Sequence, residues 1–291
     1  MSDRRGRIDQ FESVFKSADK PIFQLREIEF ARILVVTDHS REESGRIVEQ
    51  ARAFLKLIDR PFGNDGRTPE WGLLTKEDFS SVDDCRRRID EHQPDLVVAW
   101  RNLFDPVGAS VYSLGVFVDE LTQYLRPPVL LLPDPKLNVP SAEIETVMVV
   151  TNHLTGEDRL VNKGVRFTPP NGRLILSHLE DETIFDRYMN VIERIPEINS
   201  EVAREAIRRQ LLKEPCDYIS SCIEAIQSAG LSFEVDSMVE FGHGAADFKR
   251  IAEANSVDLM IFFTKDESQI AMHGMAYSLA VEIRNISLLM L

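Results

Sequence analysis

Along this chain, short apolar runs rich in β-branched residues alternate with longer stretches in which apolar positions recur every three or four residues. Arg32 to Thr37 reads RILVVT, Asp95 to Trp100 reads DLVVAW and Pro127 to Leu132 reads PPVLLL. Runs apolar on both faces are what strands buried inside a parallel sheet require. After the first run, Ser40 with Glu43 three residues on predicts a capped helix start, and Ile47, Ala51, Phe54, Leu55 and Ile58 mark the inward face of that helix. Trp71 to Leu74 predicts a short strand, Val82 to His92 a charged helix with Ile89 inward, and Val111 to Leu125 another helix. Strand and helix take turns, which argues for an open, mostly parallel twisted α/β sheet with helices on both faces and right-handed crossovers.

The pattern then repeats. VVTDHS (Val35 to Ser40) is answered by MVVTNHL (Met148 to Leu154), DLVVAW by DLMIFF (Asp258 to Phe263), and PPVLLL by ISLLML (Ile286 to Leu291). The offsets are 152 − 38 = 114, 258 − 95 = 163 and 286 − 127 = 159, so the second copy carries about 45 to 50 extra residues between its first and later strands. Two tandem domains follow: an N-terminal extension over 1–30, a first, shortened domain over 31–133, a proline-containing linker over 134–142, and a second domain over 143–291 with a helical insertion at about 182–230. Within the second copy, Thr146 to Thr151 is the first strand and Asp158 to Phe167 a helix, while the strand from Arg173 to Leu179 has no clear counterpart in the first half. Three charged helices are expected in the insertion, Glu182 to Arg194, Ser200 to Lys213 and Asp217 to Ala229, with Glu201, Arg204, Glu205, Arg208 and Arg209 forming i, i+4 pairs on a solvated face. Phe233 to Phe241 alternates like a strand. In the N-terminal extension, Phe11, Val14 and Phe15 have the spacing of a docked amphipathic turn.

Composition narrows the function. With 48 acidic and 34 basic residues the net charge is −14, which repels phosphate backbones and anionic lipid, so neither nucleic acid nor membrane is expected as a partner. No apolar run approaches the roughly 20 residues that span a bilayer, and MSDRRGRIDQ has no signal-like apolar core, so a cytoplasmic location is expected. Cys85, Cys216 and Cys222 have no metal-ligand spacing and read as reduced thiols. No metal site is expected.

The doubled order of VVTDHS, of EFGHGAADFKRIAEANSVDLMIF and of LGVFVDELTQYLRPPVLLL resembles the universal stress protein family, and within it a tandem member with two domains in one chain. The resemblance covers nearly everything from Arg32 onward. It implies the adenine nucleotide alpha hydrolase-like fold, in which last strands pair across a dimer; here Val129 to Leu132 and Ile286 to Leu291 would meet inside one chain as a pseudo-dimer. A further homodimer remains compatible with it.

Some members of that family bind ATP or AMP through glycines two residues apart after the fourth strand, followed by Gly-Ser or Gly-Thr at the last helix. Counting back from Gly115 places Asn102 and Asp105 at those glycines, and counting forward from the strand places Trp100 and Leu103 there. Val116 replaces the hydroxyl residue after Gly115. In the second copy Gly274 is followed by Met275, and Asp266 and Glu267 lie where phosphates would sit. The resemblance implies Thr37, Asp38, His39, Trp100, Gly115 and Val116, with Thr151, Asn152 and Gly274 in the second copy, as the positions lining any nucleotide site. Asp38 answers to the adenine-side carboxylate. No catalytic nucleophile–base arrangement surrounds His39 or His153, and His243 between Gly242 and Gly244 reads as turn chemistry. The expectation is a non-catalytic stress-response or regulatory protein with degenerate nucleotide sites and a protein partner as yet unknown; the alternative is an ATP- or AMP-binding switch or slow ATPase using the first domain.

Overall fold

The computed structural model describes residues 22–59, 68–104, 113–133, 143–151, 158–264, 272 and 274–291. The first half contributes β1 (Arg32–Val36), α1 (Ser44–Phe54), β2 (Glu70–Leu74), α2 (Val82–His92), β3 (Leu96–Trp100), α3 (Val116–Tyr124) and β4 (Val129–Leu132). The second contributes β5 (Thr146–Thr151), α4 (Asp158–Phe167), β6 (Arg173–Asp181), α5 (Glu182–Ile192), α6 (Ser200–Ser228), β7 (Glu234–Gly242), α7 (Ala245–Ala254), β8 (Leu259–Phe262), α8 (Gly274–Glu282) and β9 (Ser287–Met290).

These strands form one nine-stranded sheet in the order β2-β1-β3-β4-β9-β8-β5-β6-β7. Every neighbouring pair is parallel except β4 and β9, which run antiparallel with Leu130 opposite Leu289. The two last strands therefore meet as the family resemblance implies, and an apolar edge on each half is hidden by the other. Successive residues of the apolar strands point to opposite faces. Leu34, Val97, Met148 and Met260 pack beneath α2, α3, α7 and α8, whereas Ile33, Val98, Val149 and Ile261 pack beneath α1, α4 and α6. Each core layer draws side chains from both halves.

Three details depart from the sequence reading. The strand β6 does have a counterpart: it pairs with β5 as β2 pairs with β1, and β7 is the strand that the described residues of the first half lack. The sequence predicts separate helices over Ser200 to Lys213 and Asp217 to Ala229, yet α6 runs unbroken through Pro215. A proline removes one hydrogen bond without ending a helix whose later turns are held elsewhere. Here Tyr218, Ile219, Cys222 and Ile226 are buried in the core on the α4 side, and the Tyr218 hydroxyl donates to Asp158 at 2.8 Å. Thirdly, α3 starts at Val116, with Gly115 at φ 89° as its N-cap; Val111 lies outside the described residues, as do Phe11, Val14 and Phe15.

Ahead of β1, residues 22–30 form an extended strap laid across α4 of the other half. Arg26 N–H donates to Asn162 Oδ1 at 2.8 Å, Asn162 Nδ2 donates back to Gln24 O at 2.9 Å, and Arg166 Nε donates to Ile28 O at 3.0 Å. Phe23 and Phe30 are buried, and Phe30 meets Phe167 edge-on at 5.6 Å between ring centres. Gly164 lets α4 approach β5 this closely, since a Cβ there would come within 2.5 Å of Val149.

Candidate functional site

Ligands of open α/β sheets sit beyond the carboxyl ends of the strands, so the turns after β1 and β3 and the start of α3 are the place to look in the first half. Thr37 is buried at the end of β1, and its hydroxyl accepts from His39 N–H at 3.2 Å. Asp38 Oδ2 accepts from the backbone N–H of Phe104 at 3.4 Å, linking the two turns. The His39 ring lies 3.9 Å from Asp38 Oδ1 and 4.0 Å from Glu43 Oε2. Hydrogen bonds from the side chain and then the backbone of Ser40 hold the Glu43 carboxyl below its ordinary range, at 2.7 and 3.1 Å. Glu43 thus makes its half of the expected capping box, but the Ser40 hydroxyl donates to that carboxylate, and the Glu43 N–H bonds to Ser40 O at 3.1 Å instead of to the hydroxyl.

After β3, Asn102 has φ 59° and Phe104 φ 61°. Left-handed backbone at Asn is tolerated, whereas at Phe it is unusual and costs on the order of 1 kcal/mol. The turn keeps the shape that glycine adopts freely while carrying other side chains. Phe104 uses that conformation to set its ring 5.4 Å from Phe79 and 4.7 Å from Phe117, and Phe79 and Phe117 are 5.6 Å apart. Phe117 belongs to the first turn of α3. Three phenyl rings therefore meet beside the start of α3. Rings offer no hydrogen-bond donor and present a negative face to whatever approaches there.

Of the sequence-derived positions, Thr37, Asp38 and His39 converge with the turn after β3, and Gly115 starts α3 with Val116 70% exposed. Trp100 does not join them. Its side chain belongs to the opposite core layer, buried, with Nε1 lacking a hydrogen-bond partner among the described residues. The trio of rings escaped the sequence reading because its members follow three different elements and share no spacing; the visible signal was that Phe79 and Phe104 each lie a few residues past a strand and Phe117 two past Gly115. Arg101 escaped too. It is buried at the end of β3, its guanidinium donates to Ile283 O of the second half, and burial followed by the nearby Arg284 charge brings its pKa down to about 10.

In the second half, Thr151 is buried with its hydroxyl unbonded among the described residues, and lies opposite His178, whose Nε2 is 3.2 Å from Glu180 Oε2. Gly274 opens α8, and Thr264 donates from N and Oγ1 to Leu291 O at 2.9 and 2.7 Å. Asn152, His153, Asp266 and Glu267 lie outside the described residues, as does Asp105. His243 is exposed, and its N–H donates to Asp247 Oδ2 at 2.8 Å, the turn role expected of it. Among the described residues no group of three or more His, Cys, Asp or Glu is placed to hold a metal ion, and no helix is long and apolar enough to cross a membrane.

The inserted helices are joined differently from the sequence expectation. Arg204 bonds Asp186 at 3.0 Å and Glu193 at 3.1 Å, and Arg208 bonds Glu182 at 3.0 Å while lying 4.0 Å above the Phe241 ring. The pairs run between helices rather than along one, because α5 and α6 fold back on each other and bring these charges together.

No family model matches the chain, and no curated protein matches it. Solved structures do. A functionally unknown protein of Pseudomonas aeruginosa PAO1 is similar over 90% of this chain and 92% of its own, at 11% identity and a TM-score of 0.52. A protein of Pseudomonas aeruginosa UCBPP-PA14, named provisionally as a universal stress protein, is similar over 90% of this chain and 93% of its own, at 12% identity and a TM-score of 0.52. At such identities the likeness is one of fold: an α/β arrangement with a mostly parallel sheet, shared with these two structures over nine-tenths of the chain.

Proposed function

We propose that the chain is a non-catalytic regulatory protein of the universal stress type, acting in the cytoplasm, in which the anion-holding part of the first nucleotide site has been given over to packing. The ring cluster of Phe79, Phe104 and Phe117 carries this reading. It occupies the approach to the first turn of α3, and Asp38, the carboxylate expected to face adenine, already accepts from Phe104 N–H. The division into a first domain over 31–133 and a second over 143–291 belongs to the same reading, with the two copies having diverged after a duplication.

Isothermal titration of the purified chain with ATP and with AMP tests it. No saturable heat is expected at the first-half site, and micromolar binding abolished by Asp38→Ala would overturn it. A second reading, a nucleotide-dependent switch, is favoured by one observation: Gly115 at φ 89° starts α3 with no N-cap side chain bonded to the first-turn N–H groups, although its own N–H donates to Ser113 Oγ at 3.0 Å. Nucleotide found by mass spectrometry on the protein as purified would select that reading.

A further inference from the structure

The strap borders a cavity of about 460 Å³ at the end of the sheet where β6 and β7 begin. Its wall is drawn from four stretches far apart in the chain: Leu25 and Ile28 of the strap, Leu57 after α1, Val165 of α4, and Leu231 and Phe233 ahead of β7. All six are apolar, and all stay partly exposed. One buried cation lies among them. Arg166, 8% exposed, lines the cavity and donates to Ile28 O and Leu57 O, neutral carbonyls that fix the guanidinium without cancelling its charge. Burial lowers its pKa and Glu29 only partly opposes that, so a further negative charge beside it would be stabilised. The other charged side chains of the lining, Arg26 and Glu27, are exposed and of opposite sign, which leaves the lining at +1.

We propose that this cavity binds a small apolar carboxylate, its carboxyl group on Arg166 and its hydrocarbon chain along Leu25, Ile28, Val165 and Phe233. The volume falls within the roughly 300–1,000 Å³ of small-molecule sites, which are likewise mostly apolar with a few placed polar groups. A buried guanidinium gains a charge-assisted hydrogen bond from a carboxylate. An inorganic anion would leave the apolar wall wet, and an apolar amine would bring a second positive charge to Arg166. The net charge of −14 weighs little here, because charges more than about 8 Å away are largely screened at physiological salt. Since the strap forms one wall, an occupant fastens it to the second half. Thr168 and Pro170, also on the lining, lead into β6, so the cavity lies at the far end of the strands from the turns after β1 and β3.

The test is calorimetric titration of decanoate into the full chain at about 0.15 M salt, beside decylamine. Saturable heat with decanoate alone is expected, together with a rise in the unfolding temperature. Arg166→Gln should weaken the binding about tenfold, and because that variant also gives up bonds to the strap, Ser232→Trp supplies the second readout. Ser232 is exposed on the lining, and an indole there fills the cavity while leaving Arg166 and the strap bonds in place. Its ligand-free unfolding temperature should match the wild type, and its decanoate heat should vanish. Equal binding of decylamine, no saturable binding of decanoate, or full binding retained by Ser232→Trp overturns the proposal. ATP enters none of these readouts, so they stand whichever way the nucleotide titration falls.

Discussion

Asp95 and Asp258 hold the same position in the two halves. Asp95 Oδ2 accepts from Ala31 N–H at 2.8 Å and Arg32 N–H at 2.9 Å, at the head of β1. Asp258 Oδ2 accepts from Glu145 N–H at 2.9 Å and Thr146 N–H at 3.0 Å, at the head of β5. Each carboxylate pins the entry of the first strand of its half beside the strand that follows it in the sheet. Asp258→Ala leaves two strand-end donors without that acceptor and should cost about 1–2 kcal/mol. Urea unfolding measures it, and Asp95→Ala with Asp258→Ala should be additive because the two sites share no partner.

Leu289 is fully buried on β9, opposite Leu130 on one side and Ile261 on the other. Leu289→Ala should cost about 2–5 kcal/mol. Since both core layers run through both halves, unfolding should remain one transition seen alike by circular dichroism and by tryptophan fluorescence; two separated transitions would show the halves to be independent.

Cysteine reactivity should sort by burial. Cys85 and Cys222 are buried, and desolvation pushes each thiol up to about 12, with Asp84 adding to the effect at Cys85. Cys216 is exposed. At pH 8 one thiol should react with a maleimide at once and two only in denaturant, and peptide mapping should place the first at Cys216.

Acid should loosen the turn after β2. Burial opposes ionisation of Asp78, yet the backbone and hydroxyl of Thr75, both at 2.8 Å, and the Arg41 guanidinium at 2.6 Å bring its pKa below the ordinary value. A carboxyl depressed by folding contributes stability above its unfolded pKa of about 4, and that contribution is lost as pH falls through the folded value. Asp247, held down by His243 N–H and then by Arg250, acts in the same direction. Asp78→Asn should therefore lower Tm at pH 7 and flatten the fall of Tm below about pH 4. An unchanged slope would assign the acid sensitivity to other carboxylates.

Much of the scaffold was legible because burial on both faces leaves little choice of residue. RILVVT, DLVVAW and DLMIFF read as buried strands from composition alone, and the family resemblance carried by the repeat implied that the strands in PPVLLL and ISLLML would meet, as β4 and β9 do. The counterpart of β6 was missed because β2, EWGLL, lies at a sheet edge with only Leu74 fully buried, so its composition carries little of that signal. Continuity of α6 through Pro215 was missed because it depends on what the later turns rest against, which lies elsewhere in the chain. Backbone counting found that the glycines after β3 were gone, yet nothing local could say that Asn102 and Phe104 keep a left-handed turn or that Phe104 would meet Phe79 and Phe117. Those contacts are set by the sheet.

The place of β9 has a consequence for biosynthesis. It is the fifth of nine strands across the sheet and the one translated after all the others. Until it leaves the ribosome, β4 and β8 each keep one apolar edge open, and the strap before β1 must wait for α4 to emerge before it can fasten. Assembly across the sheet therefore waits on the emergence of β9, when one short strand joins the two sides at once. A nascent chain halted before Ser287 should cling to a chaperone such as trigger factor, and a released chain that includes β9 should not.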